Sequence, residues 1–540
     1  MRVLLVNPIF PPSLWDFAGS RDLEGSRYAH PPLALPTVAA LTPRPHVVTC
    51  VDENVEEIDL DTPADVVGLT GYYIQRERLF ALADAFRARG RRVCIGGPIV
   101  EESTIDECLR HADHVFRGEA EYTWPRFFDD LAAGRAERIY RQAELVDLRD
   151  SPLPRFELLR LERYSTTTIE TSRGCPYSCE FCEIPSRLGK RARVKSVAQV
   201  MAEVRALHLL GADSIFIVDD HFVGNRRHAM DVLQAIARFV RDVEHRVALS
   251  CQFTINLARD EELLEAMHAA NIRRVFVGLE TPRRESLLEV RKKQNVIGDV
   301  VENVRRVQAH NIMVWAGLIV GFDHDDPRVF DEQLRFLDEL AVPVAMIGLL
   351  QAIPGTPLHA RMERDGRLRE TDMAGVRGAI ESLVRTNIRP VGMSDTELVG
   401  GYQRLVRTLV EPERFGARLV DAICAGERPI PKAKGALTRR NLLTLARTAR
   451  YYLLSSDARA RQMAVRVIRE VARRRPDDLA TAIMHLVVYK HLRAFYEEVA
   501  ALPMPRPQSS SVATNSPARS QSTITRPTSK VAVVSKKELA

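Results

Sequence analysis

Three cysteines stand close together in Thr171-Ser-Arg-Gly-Cys175-Pro-Tyr-Ser-Cys179-Glu-Phe-Cys182. The spacing, C-x3-C-x-F-C, puts three thiolates on one short loop, close enough to hold three irons of a four-iron cluster. Such clusters are normally held by four cysteines. With three, one iron keeps an open coordination position, and an open position on a metal is where chemistry happens. The same residues also admit a zinc site. Cys179 and Cys182 form one C-x2-C pair, no second pair exists, and His208 or His221 would complete the set without any spacing that favours them.

The loop needs a rigid element on each side, and the sequence supplies them. Thr166–Thr171, Ser214–Val218, Ala248–Thr254, Val275–Glu280, Met313–Val320 and Ala345–Leu350 read as buried strands. Helical spacing fills the gaps at 196–210, 226–241, 261–270, 296–309 and 326–340, the first opening on a Ser196-Val-Ala-Gln199 capping box. Six strand–helix units over 165–365 predict a partial barrel, whose active site lies at the carboxyl ends of the strands. Cys175 follows the first strand at that end.

Residues 1–140 alternate in the same way. Val3–Val6, Val47–Val51, Val66–Leu69, Val93–Ile95 and the weaker His114–Phe116 predict a doubly wound parallel α/β sheet, with a helix over 76–89. Ligands of such sheets bind beyond the strand ends, here Asn7-Pro8, Asp52-Glu53-Asn54, Thr70-Gly71-Tyr72-Tyr73 and Gly96-Gly97-Pro98. Residues 141–164, with Ser151-Pro-Leu-Pro154, read as a linker; 366–500 as a helical region; 501–540, rich in Pro, Ser, Thr and Arg, as a disordered tail.

The net charge of +6 is uneven. The tail holds six basic residues and one acid, leaving about +1 for the other 500 residues, so the basic balance argues against a nucleic-acid partner. Eight cysteines in 540 residues make no disulfide scaffold, and a reduced cytoplasm is the expected setting. The apolar run Met1–Val6 is too short for a signal peptide, and no run reaches the ~20 residues of a membrane span.

On the cysteine motif after the first barrel strand, the chain resembles the radical SAM superfamily. The resemblance implies that Cys175, Cys179 and Cys182 bind a [4Fe-4S] cluster whose open iron chelates S-adenosylmethionine (SAM). Reduction by an external donor such as flavodoxin or ferredoxin then yields a 5′-deoxyadenosyl radical. Phe181 matches the aromatic near the adenine. Glu280, at a strand end, is a candidate for the SAM amino group or ribose, or a helix-starting acid. Asp219, beside Asp220, is a candidate for ribose or metal contacts, or an N-cap. Gly317-Leu-Ile-Val-Gly321 resembles the strand against which adenine lies, and Gln351–Pro357 resembles a segment of the cobalamin-binding subgroup.

The doubly wound domain ahead of the barrel resembles the cobalamin domain of that subgroup, as do Gly96-Gly97-Pro98 and Arg117-Gly118-Glu119-Ala-Glu121. Gly96, Gly97 and Pro98 are the expected cobalamin contacts, and Tyr72 or Tyr73 either lies under the ring or packs as core. The D-x-H-x-x-G motif of histidine-on cobalamin domains does not occur within residues 1–140. The segments 219–225, 292–295 and 321–323 are similar to a group of methylases of hopanoids and bacteriochlorophylls. The implied activity is cobalamin-dependent methylation of an unactivated carbon in a lipid, tetrapyrrole or secondary metabolite. Cyclisation or carbon–carbon coupling without methylation, and a zinc-binding interaction protein, are the alternatives. Helix 439–454, with Arg439, Arg440, Arg447 and Arg450 beside Leu442, Leu445 and Leu453, reads as a solvated basic face or as a peripheral membrane contact.

Overall fold

The computed structural model describes residues 1–243, 247–369, 379–428 and 439–504. Two parallel sheets organise it. The first comprises β1 (Arg2–Asn7), β2 (Val47–Asp52), β3 (Val66–Thr70), β4 (Arg92–Gly96), β5 (His114–Arg117) and β6 (Ile139–Arg141), in the order β2-β1-β3-β4-β5-β6. Its strands are apolar throughout because both faces are covered. Leu4 and Val6 pack under helix Arg76–Ala88, while Val3 and Leu5 pack against Leu35, Trp124 and Phe127 on the other side. In this order β1 lies between β2 and β3, so the strand order reverses at β1/β3. That is the switch point at which open α/β sheets bind ligands.

A short antiparallel hairpin, β8 (Ser172–Arg173) with β9 (Arg193–Val194), follows β7 (Thr167–Ile169). The second sheet continues with β10 (Ser214–Ile217), β11 (Ala248–Phe253), β12 (Ile272–Glu280), β13 (Met313–Val320) and β14 (Val344–Leu349). Its order, β7-β10-β11-β12-β13-β14, follows the chain, with helices between strands, as a (β/α)6 partial barrel requires. Phe276 and Trp315 pair in register on β12 and β13. Trp15 stands edge-on to Phe276 at 5.1 Å, and Phe17 lies 6.0 Å from Trp315.

All six barrel strands lie where expected. In the first domain β6 is additional: its three residues sit at the edge of the segment read as a linker. That linker holds three single 3-10 turns, Leu148–Asp150, Phe156–Leu158 and Leu161–Arg163. The C-terminal region is helical over Asp395–Leu409, Pro412–Cys424, Arg439–Leu453, Ala458–Arg474 and Leu479–Ala501. Of the tail expected over 501–540, Ala501 closes the last helix and residues 505–540 lie outside the described residues.

Candidate cluster and cofactor site

The cysteine loop is held on both flanks by backbone and carboxylates. Gly174 adopts φ +94°, and a side chain there would meet the carbonyl oxygen of Arg191 at 2.6 Å, so only glycine lets the loop pass. Asp219, ending β10, is fully buried and accepts the Thr171 N–H at 2.6 Å and the Ser172 hydroxyl at 2.7 Å. Asp220 accepts the Gly174 N–H at 3.0 Å. The two acids therefore brace the start of the loop, and both oxygens of Asp219 are occupied. Burial pushes the Asp219 carboxyl up to about 7 despite these bonds.

Further along, the Glu180 N–H donates to Val290 at 2.9 Å and its carbonyl accepts from Leu358 at 3.0 Å. The Glu180 carboxylate meets Arg361, which also pairs with Glu289 at 3.0 Å and Asp323 at 2.6 Å. One guanidinium thus ties the middle of the cysteine loop to three other segments of the barrel rim. Phe181 packs with Val290, Phe322, Leu350 and Leu358.

Glu280 has φ +65°, a conformation that turns the end of β12 inward. Its carboxylate forms a buried ion pair with Lys292. Burial alone would neutralise Lys292; Glu280 and the neighbouring cysteine sulfurs outweigh it and hold the ammonium charged. The Lys292 ammonium stands 5.8 Å from the Phe181 ring. Asn295 donates to the Gly278 and Leu279 carbonyls at 2.8 and 3.0 Å, and Gln294 donates to the Cys179 sulfur at 3.4 Å. Lys292 and Gln294 were absent from the residues singled out by type and spacing. Their segment carries no periodicity, and only its resemblance to the methylase group marked it.

Gly278 and Gly317 are register partners, and Gly348 pairs with Ile319 one step along β14. A side chain on Gly278 would run into the Glu280–Lys292 pair at 2.4 Å, whereas none of the surrounding atoms lies within 4 Å of one on Gly348. A side chain on Gly317 would meet the Phe276 ring at 3.0 Å, so of these three strand glycines Gly348 alone faces open space. Gly321 serves elsewhere: φ +103° makes a turn, its N–H donates to Asp325 at 2.9 Å, and its open side faces Leu398. Gly317 thus lies within β13 and Gly321 just past its end.

The residues fit a cluster and a polar ligand. Burial pushes the Cys182 thiol up to about 11, so a thiolate there needs the positive charge of bound iron. Among the described residues, the one set of three metal-ligand atoms gathered within 4.8 Å is Glu261, Glu265 and His310. At least one pair of the three cysteine sulfurs therefore lies more than 4.8 Å apart, wider than the roughly 3.8 Å of thiolates on one tetrahedral zinc. Buried polar atoms without a partner, His221 Nδ1, Asn256 Oδ1 and Asn295 Oδ1, follow β10, β11 and β12. Burial, with Lys292 nearby, brings His221 down to about 4, so its imidazole is neutral.

Across the rim lies the first sheet. Arg173, just before the cysteine loop, pairs with Glu119 at 2.7 Å and Glu121 at 2.8 Å, and Arg193 joins Glu119 at 2.8 Å. The Arg117–Glu121 segment is thus a clamp between the two sheets. Burial favours the neutral form of Glu119, yet the Val146 N–H and Arg173 hold its carboxyl below the usual range. At the β1/β3 switch point Gln75 donates to the Pro8 carbonyl at 2.5 Å, and Phe10 packs on Tyr72 at 5.7 Å. Ile9, Tyr72, Tyr73 and Ile74 remain 41–53% exposed there. Tyr72 nevertheless has enough protein around it to raise its phenol, with Arg187, Glu183 and Asp220 of the cysteine-loop side in electrostatic reach. Gly97 (φ +88°) is needed because a side chain would meet the Thr70 hydroxyl at 2.5 Å; Gly96 and Pro98 flank it, half-buried.

A (β/α)6 sheet carrying a three-cysteine loop on its catalytic rim defines a cluster-dependent barrel enzyme. Residues 169–337 match the radical SAM superfamily, and 356–502 match a domain of unknown function, DUF4070. The chain is 32% identical to an uncharacterized methyltransferase of Synechocystis over 82% of each chain. It is 32% identical to the hopanoid C-2 methylase of Rhodopseudomonas palustris over 69% of this chain and 72% of that one. In fold it is similar to OxsB, a cobalamin-dependent SAM radical enzyme solved with aqua-cobalamin and SAM bound. The TM-score is 0.57 at 16% identity, covering 92% of this chain and 79% of that one. The chain belongs to the radical SAM superfamily. A [4Fe-4S] cluster and SAM are accordingly its cofactors, a small molecule is its substrate, and the zinc alternative falls.

Proposed function

We propose that this enzyme methylates an unactivated carbon, with cobalamin as the methyl carrier. The supporting observation is the meeting of two strand-end sites. The β1/β3 switch point, floored by Ile9, Tyr72, Tyr73 and Ile74, opens toward the cysteine loop, with Tyr72 in reach of Arg187 and Asp220. Exposed aromatic and aliphatic side chains around a glycine turn suit a broad, flat, partly apolar ligand such as a corrin. The methylase names of its relatives point the same way.

When bound, the cluster and SAM supply a carbon-centred radical that takes a substrate hydrogen, and cobalamin supplies the methyl group. The protein's part is placement. Cys175, Cys179 and Cys182 hold the irons; Asp219, Asp220 and Arg361 fix the loop that carries them. Lys292, Glu280 and the orphaned atoms of His221 and Asn256 would hold SAM when it is bound, with the glycines of β12–β14 leaving room for its adenine near Phe181. Gly96, Gly97 and Pro98 would keep the first sheet's rim low enough for a corrin to approach, and Tyr72 or Tyr73 would contact it. No histidine stands at the strand ends 7–8, 52–54, 70–73 and 96–98, so these residues would offer a bound cobalamin no imidazole. The partners in this reading are a one-electron donor of the flavodoxin or ferredoxin type and a membrane surface where an apolar substrate is met; the setting is the cytoplasm.

Anaerobic reconstitution tests the reading. The expected product binds one corrinoid per chain in addition to the cluster, and transfers label from methyl-labelled SAM. Deoxyadenosine formation without corrinoid binding or methyl transfer would instead favour cyclisation or coupling.

A further inference from the structure

Helix Arg439–Leu453 is oriented against the usual rule. A surface helix turns its leucines to the core and its charges to water. Here the buried positions are Thr448 and Tyr452, the latter donating to the Leu486 carbonyl at 2.7 Å. Leu442, Leu445 and Leu453 are 50, 42 and 61% exposed. With Ala449 they fall at i, i+3, i+7 and i+11, one continuous stripe, bordered on the helical wheel by Arg439 and Arg450. Two other arginines tether the helix to the body: Arg440 donates to the Tyr164 carbonyl at 3.0 Å, and Arg447 lies over Gly25.

The charge around this stripe is concentrated. Residues 439–475 contain eleven arginines and two acids, Asp457 and Glu470, a net of +9 in a chain whose total is +6. Four of these arginines meet a carboxylate among the described residues: Arg459 meets Glu413 at 2.6 Å, Arg473 meets Glu470 at 3.0 Å, Arg475 meets Asp478 at 3.0 Å, and Arg469, 73% exposed, lies 3.9 Å from Glu470. No described helix is long and apolar enough to cross a membrane. Leucines facing outward among unneutralised arginines match a surface that is apolar below and anionic above.

We propose that the helices Arg439–Leu453 and Ala458–Arg474 dock on an anionic lipid bilayer, with Leu442, Leu445 and Leu453 entering the headgroup layer. The arginines supply electrostatic attraction and the leucines the apolar burial, the two contributions that hold an interfacial helix. The inference deepens the methyl-transfer reading and rests on it for one point, that the docked enzyme draws an apolar substrate from the bilayer.

Co-sedimentation of the full-length holoenzyme tests it, with phosphatidylcholine vesicles that contain or lack phosphatidylglycerol. Binding is expected to require phosphatidylglycerol and to be released by salt. The pair Leu442→Ser/Leu453→Ser and the pair Arg439→Gln/Arg450→Gln should each lower the partition coefficient by roughly tenfold. All four side chains are exposed, so both variants should fold and form deoxyadenosine as the wild type does. Three outcomes would overturn the proposal: no sedimentation with any vesicle, equal binding to neutral and anionic vesicles, or variants that bind like the wild type. Capture by RNA in place of vesicles would assign the charge to another partner and also overturn it. An enzyme that transfers methyl groups without sedimenting loses this inference alone. One that sediments without methylating keeps the docking surface and loses the methyl-transfer reading.

Discussion

Gln294 donates a hydrogen bond to the sulfur of Cys179 at 3.4 Å, across 115 residues of sequence. A donor to a ligating thiolate stabilises the more negative, reduced cluster and raises its potential. Gln294→Leu is expected to lower the midpoint, roughly 59 mV for each tenfold loss in the one-electron reduction equilibrium. Gln294→Lys should raise it. Potentiometric titration followed by electron paramagnetic resonance reads both directions; shifts of the same sign in both variants would refute the assignment.

Arg361 is the common partner of Glu180, Glu289 and Asp323. Its loss leaves Glu180 and Glu289 without this cation, while Asp323 keeps Arg367 at 2.5 Å. Breaking a fully buried pair costs about 3–5 kcal/mol. With Arg361 one-fifth exposed, solvent screening brings the expectation for Arg361→Met to about 2–3 kcal/mol. Arg361→Lys, which keeps the charge but not the fork, should fall between. Thermal unfolding together with iron content checks this. A fully stable Arg361→Met protein with a full cluster would show that Glu180 does not anchor the loop.

Asp219 supplies a pH dependence. Burial raises its folded pKa to about 7, against about 3.9 in an unfolded chain. The folded state therefore holds the proton over a window in which the unfolded state has lost it. The group's contribution is fully present below about pH 4 and is lost as pH rises toward 7. Asp219→Asn removes the titration while keeping an acceptor for the Thr171 N–H. The stability of wild type relative to Asp219→Asn should fall by on the order of 1 kcal/mol per pH unit across that window. Parallel stability curves from pH 4 to 7 would contradict the brace.

Much of this was legible in the chain. The six barrel strands are runs of apolar, β-branched residues between helical spacings, and local patterning is enough to place them. Ile139–Arg141 escaped because it offers only Ile and Tyr between charged neighbours, and it pairs with β5 rather than standing by itself. Asp219 was read as a ligand or a cap. Its actual partners, Thr171 and Ser172, lie 48 and 47 residues away, a distance no local pattern reports. The same holds for Arg361, whose three carboxylates come from three separate segments. Gly317 and Gly321 lie in one glycine-bearing stretch; φ and facing separate them, and neither is visible in residue type. The Arg117–Glu121 segment announced itself by resemblance, but its work, clamping Arg173 and Arg193, appears only in three dimensions.

The central claim is that the radical made at the cysteine loop prepares a carbon for a methyl group. It is tested most directly by feeding methyl-deuterated methionine to a strain carrying the gene and to its deletion strain, then comparing their metabolites. The account predicts a compound bearing an intact trideuteromethyl group on an unactivated carbon in the parent, replaced by its unmethylated precursor in the deletion strain. Identical methylated metabolites in the two strains, with a difference confined to ring closure or coupling, would contradict it.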